Sequence, residues 1–89
     1  MRVKILGSAV LLTTTPSVIA ATAVDILMVH DAGGNTSRTI TLYENDGTTV
    51  VGSYFSNPGS ELVLHIKANQ KLKVDAGTDV HATPVAYFS

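Results

Sequence analysis

Turn signals divide this chain roughly every 8 to 12 residues, and that punctuation constrains its fold more than any other feature. Asp31-Ala32-Gly33-Gly34-Asn35, Asn45-Asp46-Gly47, Asn57-Pro58-Gly59-Ser60, Ala68-Asn69-Gln70 and Asp75-Ala76-Gly77-Thr78 combine residues that accept positive φ or close a turn through a short polar side chain. Asp46-Gly47 between two alternating runs predicts a hairpin with a type I′ turn. Pro58 and Gly59 suit the first and second corners of another turn. Between these signals the apolar residues recur with period two, without a helical 3.6-residue period of useful length. The expectation is an all-β chain: a single domain, residues 1–89, built as a compact antiparallel β-sandwich or barrel of about seven or eight short strands.

The individual runs support this. Thr22 to His30 is apolar on both faces, with Val24, Ile26 and Met28 on one and Leu27 and Val29 on the other, which predicts a strand either central in a sandwich or covered by a neighbouring subunit. Ser37 to Tyr43 sets Ile40 and Leu42 against Thr39, Thr41 and Tyr43, a strand with one wet face, and Thr48 to Phe55 is its predicted partner. Glu61 to Lys67 points Leu62, Leu64 and Ile66 inward, and Lys71 to Asp75 repeats the pattern with Leu72 and Val74, so 61–75 reads as a second hairpin. Val80 to Phe88 closes the chain, its Pro84 predicting an edge or a bulge.

The opening MRVKILGSAVLLTTTPSVIA admits two readings. As a secretion signal it has Arg2 and Lys4 at its start, an apolar run to Leu12 and a small-residue cleavage pattern before Ala21. Gly7 and Ser8 interrupt that run, and Thr13-Thr14-Thr15-Pro16 is a long polar insert. As structure, Arg2 to Leu6 alternates like a half-buried strand, Gly7-Ser8 bends, and Ala9 to Thr15 forms a second strand ended by Pro16. The second reading is adopted, with 1–20 retained as strand.

With 89 residues and no cysteine, the chain has a thin core that no disulfide supplements; it buries about 60–65% of its unfolded surface, and oligomerisation or docking is the remaining support. Six basic and seven acidic residues give a net charge of −1 with no basic stripe, so phosphate-neutralising nucleic-acid binding is not expected. The opening apolar run is too short to span a membrane, and no membrane association is expected. Charged residues are only 15% of the chain, against about 25% in soluble proteins generally. Such a surface suits lasting contact with partners.

No catalytic residue, cofactor or metal site is expected. His30, His65 and His81 lack ligand spacing and read as solvated or interface histidines. A nucleophile elbow is absent, and Gly33-Gly34 lacks the lysine and helix of a phosphate loop. Asn35-Thr36-Ser37 matches a glycosylation sequon but lies on a predicted turn. The aromatics are Tyr43, Tyr54, Phe55, Tyr87 and Phe88, and the pair at the chain end is apolar surface suited to docking.

Taken together, VKILGSA, LTTTPSVIAATAV, SRTITLYENDGTTVVGSY, NPGSELVLHIKANQKLKV and VHATPVAYFS resemble small all-β virion proteins of tailed bacteriophages across nearly the whole chain. The resemblance implies a capsid decoration or cement protein on the virion exterior, binding across seams between major capsid proteins and self-associating, for example as trimers. Arg2, Val3, Lys4 and Ile5 at one end and Val85, Tyr87 and Phe88 at the other are the expected interface residues. The alternatives are a tail, neck or fibre-associated subunit, and a secreted carbohydrate- or surface-binding module starting at Ala21.

Overall fold

The alternating runs fold into nine strand elements: β1 (Arg2–Ile5), β2 (Val10–Leu11), β3 (Ser17–Val18), β4 (Val24–His30), β5 (Arg38–Tyr43), β6 (Val50–Ser56), β7 (Glu61–Ile66), β8 (Lys71–Val74) and β9 (Val80–Phe88). In this computed structural model the described residues are 2–31, 33 and 35–88, except for the side chains of Tyr87 and Phe88. Among the described residues there is no helix.

All pairings are antiparallel. They nest: β1 and β2 pair with β9, β3 with β8, β4 with β7, and β5 with β6. β1 and β2 share one side of β9 and act as two halves of a single broken strand. The nested ribbon is rolled into two sheets, one ordered β1/β2-β9-β4-β7 and the other β3-β8-β5-β6. This is the strand order of a jelly roll, a sandwich of two sheets rather than a closed barrel. The expected all-β sandwich is therefore the fold, with eight strands once β1 and β2 are joined.

The core lies between the sheets. Ile26 and Met28 of β4, Ile66 of β7 and Val80 and Ala82 of β9 face Ile40 and Leu42 of β5 and Leu72 and Val74 of β8. Leu12, immediately after β2, is fully buried among them.

Several local expectations differ from the structure. The 61–75 run is not a hairpin, because β7 joins one sheet and β8 the other, and the intervening turn crosses the sandwich. Asn69 enables that crossing with φ of 63°, while Lys67 N–H donates to Gln70 Oε1 at 2.7 Å. The β5–β6 connection is longer than a two-residue type I′ turn. Gly47 alone takes positive φ there (74°), its N–H donating to the Glu44 carbonyl at 3.0 Å, and Asp46 instead accepts from the Thr48 and Thr49 N–H groups, each at 2.9 Å. Asn57-Pro58-Gly59-Ser60 turns as expected, with Gly59 at φ 82° and Ser60 N–H bonded to the Asn57 carbonyl at 3.0 Å. The strand expected over Ala9 to Thr15 is confined to Val10–Leu11.

Pro84 is the clearest departure. β9 lies between β1/β2 and β4, so this proline is inside a sheet rather than at its edge. Leu6 N–H donates to the Pro84 carbonyl at 2.8 Å, so the N–H-less proline nitrogen also faces the β1/β2 side. The neighbouring strand is broken there, at Gly7. A Cβ on Gly7 would lie 3.0 Å from Pro84 Cγ, so the close passage over the ring favours glycine. The irregularity anticipated at Pro84 is thus borne by its partner strand.

Candidate docking surface

Two arrangements of side chains stand out, one sealed and one open. The sealed one joins the sheets at one end of the sandwich. His30 on β4 and Ser56 on β6 are both buried, with His30 Nδ1 3.0 Å from Ser56 Oγ. Asp79, just before β9, lies with Oδ2 3.7 Å from His30 Nε2 and forms a two-point ion pair with Arg38 of β5, Nε to Oδ1 at 3.0 Å and a terminal guanidinium nitrogen to Oδ2 at 3.2 Å. A Nε2–H tautomer lets Ser56 donate to Nδ1 and aims the remaining N–H at Asp79. The Arg38 hydrogen bond holds the Asp79 carboxyl below its ordinary range against the opposing effect of burial, and the same bond raises Arg38.

Serine, histidine and aspartate are thus in sequence along one network, but the serine oxygen is buried and neither surface groove reaches it. The network is a polar latch between the sheets. The expectation that His30 is solvated or at an interface is corrected: its position on the inward face of β4 places it under the Asn57–Ser60 turn, where Gly59 N–H donates to the His30 carbonyl at 3.2 Å. His65 and His81 are exposed, and His65 Nδ1 is 3.1 Å from Asp25 Oδ1. No group of three metal-ligating side chains occurs among the described residues.

The open arrangement is the outer face of the β1/β2-β9-β4-β7 sheet. Alternation places Leu27 and Val29 of β4 outward, with Leu27 opposite Val63 of β7 and Val29 opposite His81 of β9. Leu11 of β2 is opposite His81 on the other side, and Ile5 of β1 is opposite Val85. Val3, Ile5, Leu11, Val29 and Val63 are exposed and Leu27 is half-buried. Asp25, His65 and Glu61 lie towards the β4–β7 side of this face. The opposite outer face of the sandwich is wetter, with Thr39, Thr41, Ser53, Lys71 and Lys73 among its residues.

The residues anticipated from the two ends of the chain come together. Arg2 is opposite Phe88, Val3 opposite Tyr87, Lys4 opposite Ala86 and Ile5 opposite Val85, so they form one strip of the same sheet. Val3 and Ile5 are on its outer face and exposed, and Val85 is buried beside Asp25 and Ile5. The side chains of Tyr87 and Phe88 lie outside the described residues. Leu11, Val29 and Val63 are surface residues outside the interface expected from the two ends of the chain. The signal was present in β4, whose outward residues are as apolar as its inward ones although no second layer of this chain covers them.

Two grooves open at the lateral sides of the sandwich. One of about 200 Å³ lies between β6 and β7, floored by Met28, Ile40, Leu42 and Leu72. The other, of about 540 Å³, lies between the Gly7 bend and residues 19–22, with Leu6, Val10, Ile19 and Pro84 on its walls. Comparison with protein families, with characterised proteins and with solved structures returns no match.

Proposed function

We propose that this chain is a structural subunit of a bacteriophage virion, a decoration or cement protein that seats the outer face of its β1/β2-β9-β4-β7 sheet on the capsid exterior and bridges seams between major capsid proteins. The observation that carries the reading is the apolar character of that face, where Val3, Ile5, Leu11, Val29 and Val63 are exposed around half-buried Leu27. A small sandwich that leaves this much aliphatic surface on one side gains by covering it. At about 25 cal/mol per Å² of apolar area, a few hundred Å² per subunit stabilises each contact by several kcal/mol, multiplied over many copies on a shell. The sequence resemblance supplies the capsid as the partner, and jelly rolls recur in viral shells and in lectins, which is an analogy of fold alone.

The test is quantitative peptide analysis of native particles from the source, followed by binding of wild type and Val63→Lys to particles stripped of this protein. Many copies per particle and loss of binding by a folded Val63→Lys variant are the expected results. A few copies per particle would transfer the protein to the tail or neck. Absence from particles refutes the virion reading altogether.

A further inference from the structure

The two sheets leave four lateral edges, and three of them are defended against pairing with another chain. β3 has two residues, β1/β2 is broken at Gly7 and carries Arg2 and Lys4, and β7 carries Glu61 and His65. β6 is different. It is seven residues long, VVGSYFS, with no charge and no proline, and it ends the β3-β8-β5-β6 sheet; a bulge at Val50–Val51, which together stand against Tyr43, leaves Gly52–Ser56 as its regular stretch. Six of its seven residues are exposed.

We propose that β6 is a self-association edge, pairing antiparallel with β6 of a second copy about a two-fold axis through Ser53. With the axis through Ser53, Gly52 faces Tyr54 of the second copy and Ser53 faces itself, while the Val50–Val51 bulge of each copy lies at the margin of the pair. Within the chain, Gly52 is opposite Leu42 and Tyr54 opposite Ile40, both core residues, so Gly52 and Tyr54 lie on the side of the gap between the sheets. A Cβ on Gly52 would have nothing within 4 Å, and the open space there belongs to the apolar groove of about 200 Å³. Tyr54 of the second copy would cover that glycine and close the groove mouth, an aromatic ring packing over an edge glycine from the neighbouring strand. Phe55 of one copy would lie near the Val50–Val51 bulge of the other, at the margin of the pair.

The available area sets the expected strength. Phe55 is 63% exposed, Val50 57%, Val51 52% and Tyr54 38%. Taking about 150–250 Å² for an aromatic side chain and less for valine, these residues offer on the order of 300–400 Å² per copy. Two copies would bury on the order of 700 Å² of side chain besides the new backbone ladder, below the roughly 1,200 Å² at which standard stable interfaces begin. The dimer is therefore a reversible one, with dissociation at about micromolar concentration. It would also join two sheets into one of eight strands. This inference goes beyond the docking proposal and does not rest on it, because the β1/β2-β9-β4-β7 face takes no part.

Sedimentation velocity of the full chain across the micromolar range, paired with disulfide trapping, tests it. The chain has no cysteine, so single-cysteine variants report the register directly. Residues opposed in an antiparallel pair have Cα atoms about 4.5–5.5 Å apart, within disulfide reach. Ser53→Cys is expected to cross-link to a dimer under mild oxidation, whereas two copies of Val50→Cys would be held about 20 Å apart and stay uncoupled. Ser53→Lys, which sets two ammonium groups face to face, is expected to weaken dimerisation at least about tenfold while leaving the circular dichroism spectrum and particle binding unchanged. A chain that remains monomeric at several hundred micromolar overturns the proposal. So does a dimer indifferent to Ser53→Lys, or equal cross-linking at positions 50 and 53.

Discussion

Leu11 and Leu12 are neighbours in sequence and opposites in structure, so truncating each to alanine asks whether residues 2–18 belong to the sandwich in the described register. Leu12 is 1% exposed within the core cluster, and Leu11 is exposed on the outer face. Leu12→Ala removes three carbons, about 2.4 kcal/mol of transfer free energy at ~0.8 kcal/mol each, and leaves a cavity that raises the cost to about 3–4 kcal/mol. A chain of 89 residues has a total stability of about 4–13 kcal/mol, so the loss is a large fraction of the whole. With a urea m-value of about 1–1.5 kcal/mol/M, the unfolding midpoint should fall by ~2–4 M. Leu11→Ala should cost less than about 1 kcal/mol. Both are measured by urea titration at low micromolar protein, where self-association contributes least. If the two variants unfold together, or Leu12→Ala matches wild type, residues 10–12 do not pack as described. A segment that lay outside the folded domain would give that null result at both positions.

Two further predictions concern the sheet break and the acid limb of stability. Gly7→Ala should destabilise by about 1–3 kcal/mol through contact with the Pro84 ring, and Pro84→Ala should recover part of that loss; a double-mutant cycle with no coupling would show that the two residues do not meet. Asp79 and Asp46 have depressed carboxyl pKa values, the first chiefly through the Arg38 hydrogen bond, the second to about 2 chiefly through the Thr49 hydroxyl. The unfolded chain, with aspartate near 3.9, therefore binds more protons than the folded one below about pH 4. Their contribution is complete above that pH and is lost as pH falls through the folded values, which for Asp46 means by about pH 2. Urea midpoints between pH 6 and 2 should decline in wild type and decline less steeply in Asp79→Asn and Asp46→Asn; a midpoint constant across that range would contradict the assignment.

Strand identity was legible wherever one face of a strand is buried. In β5, β7 and β8 the period-two pattern alone separates Ile40, Leu62, Leu64, Ile66, Leu72 and Val74 from their polar neighbours, because a one-residue slip would exchange the faces. Pairing was less legible, because alternation says which side of a strand is wet and not which strand lies beside it. Lys67 to Lys71 looks like a hairpin turn in sequence, yet Asn69 carries the chain from one sheet to the other. The polar latch was hidden for the same reason. His30, Arg38, Ser56 and Asp79 are scattered over half the chain and meet only because β4, β5, β6 and β9 end at the same end of the sandwich. The outer face could be read in part, since Thr22 to His30 was apolar on both sides, but the sequence pattern did not reveal that one side lacks cover within the chain. The exposure of Tyr54 and Phe55 follows from β6 being the end strand of its sheet, which alternation does not reveal.

The nested pairing also orders events during synthesis. β9 is made after every other described strand, yet it is the one on which β1, β2 and β4 all assemble, and Arg2 finds its register opposite Phe88. A nascent chain not yet extended through β9 has neither the centre of one sheet nor the ladder for β1. Folding of this domain therefore awaits the synthesis of β9, and the loop-closure entropy of bringing β1 to β9 must be met before most of the native pairing exists. This topology belongs with the millisecond-to-second folders, and during that interval the uncharged β6 segment is exposed to other nascent chains.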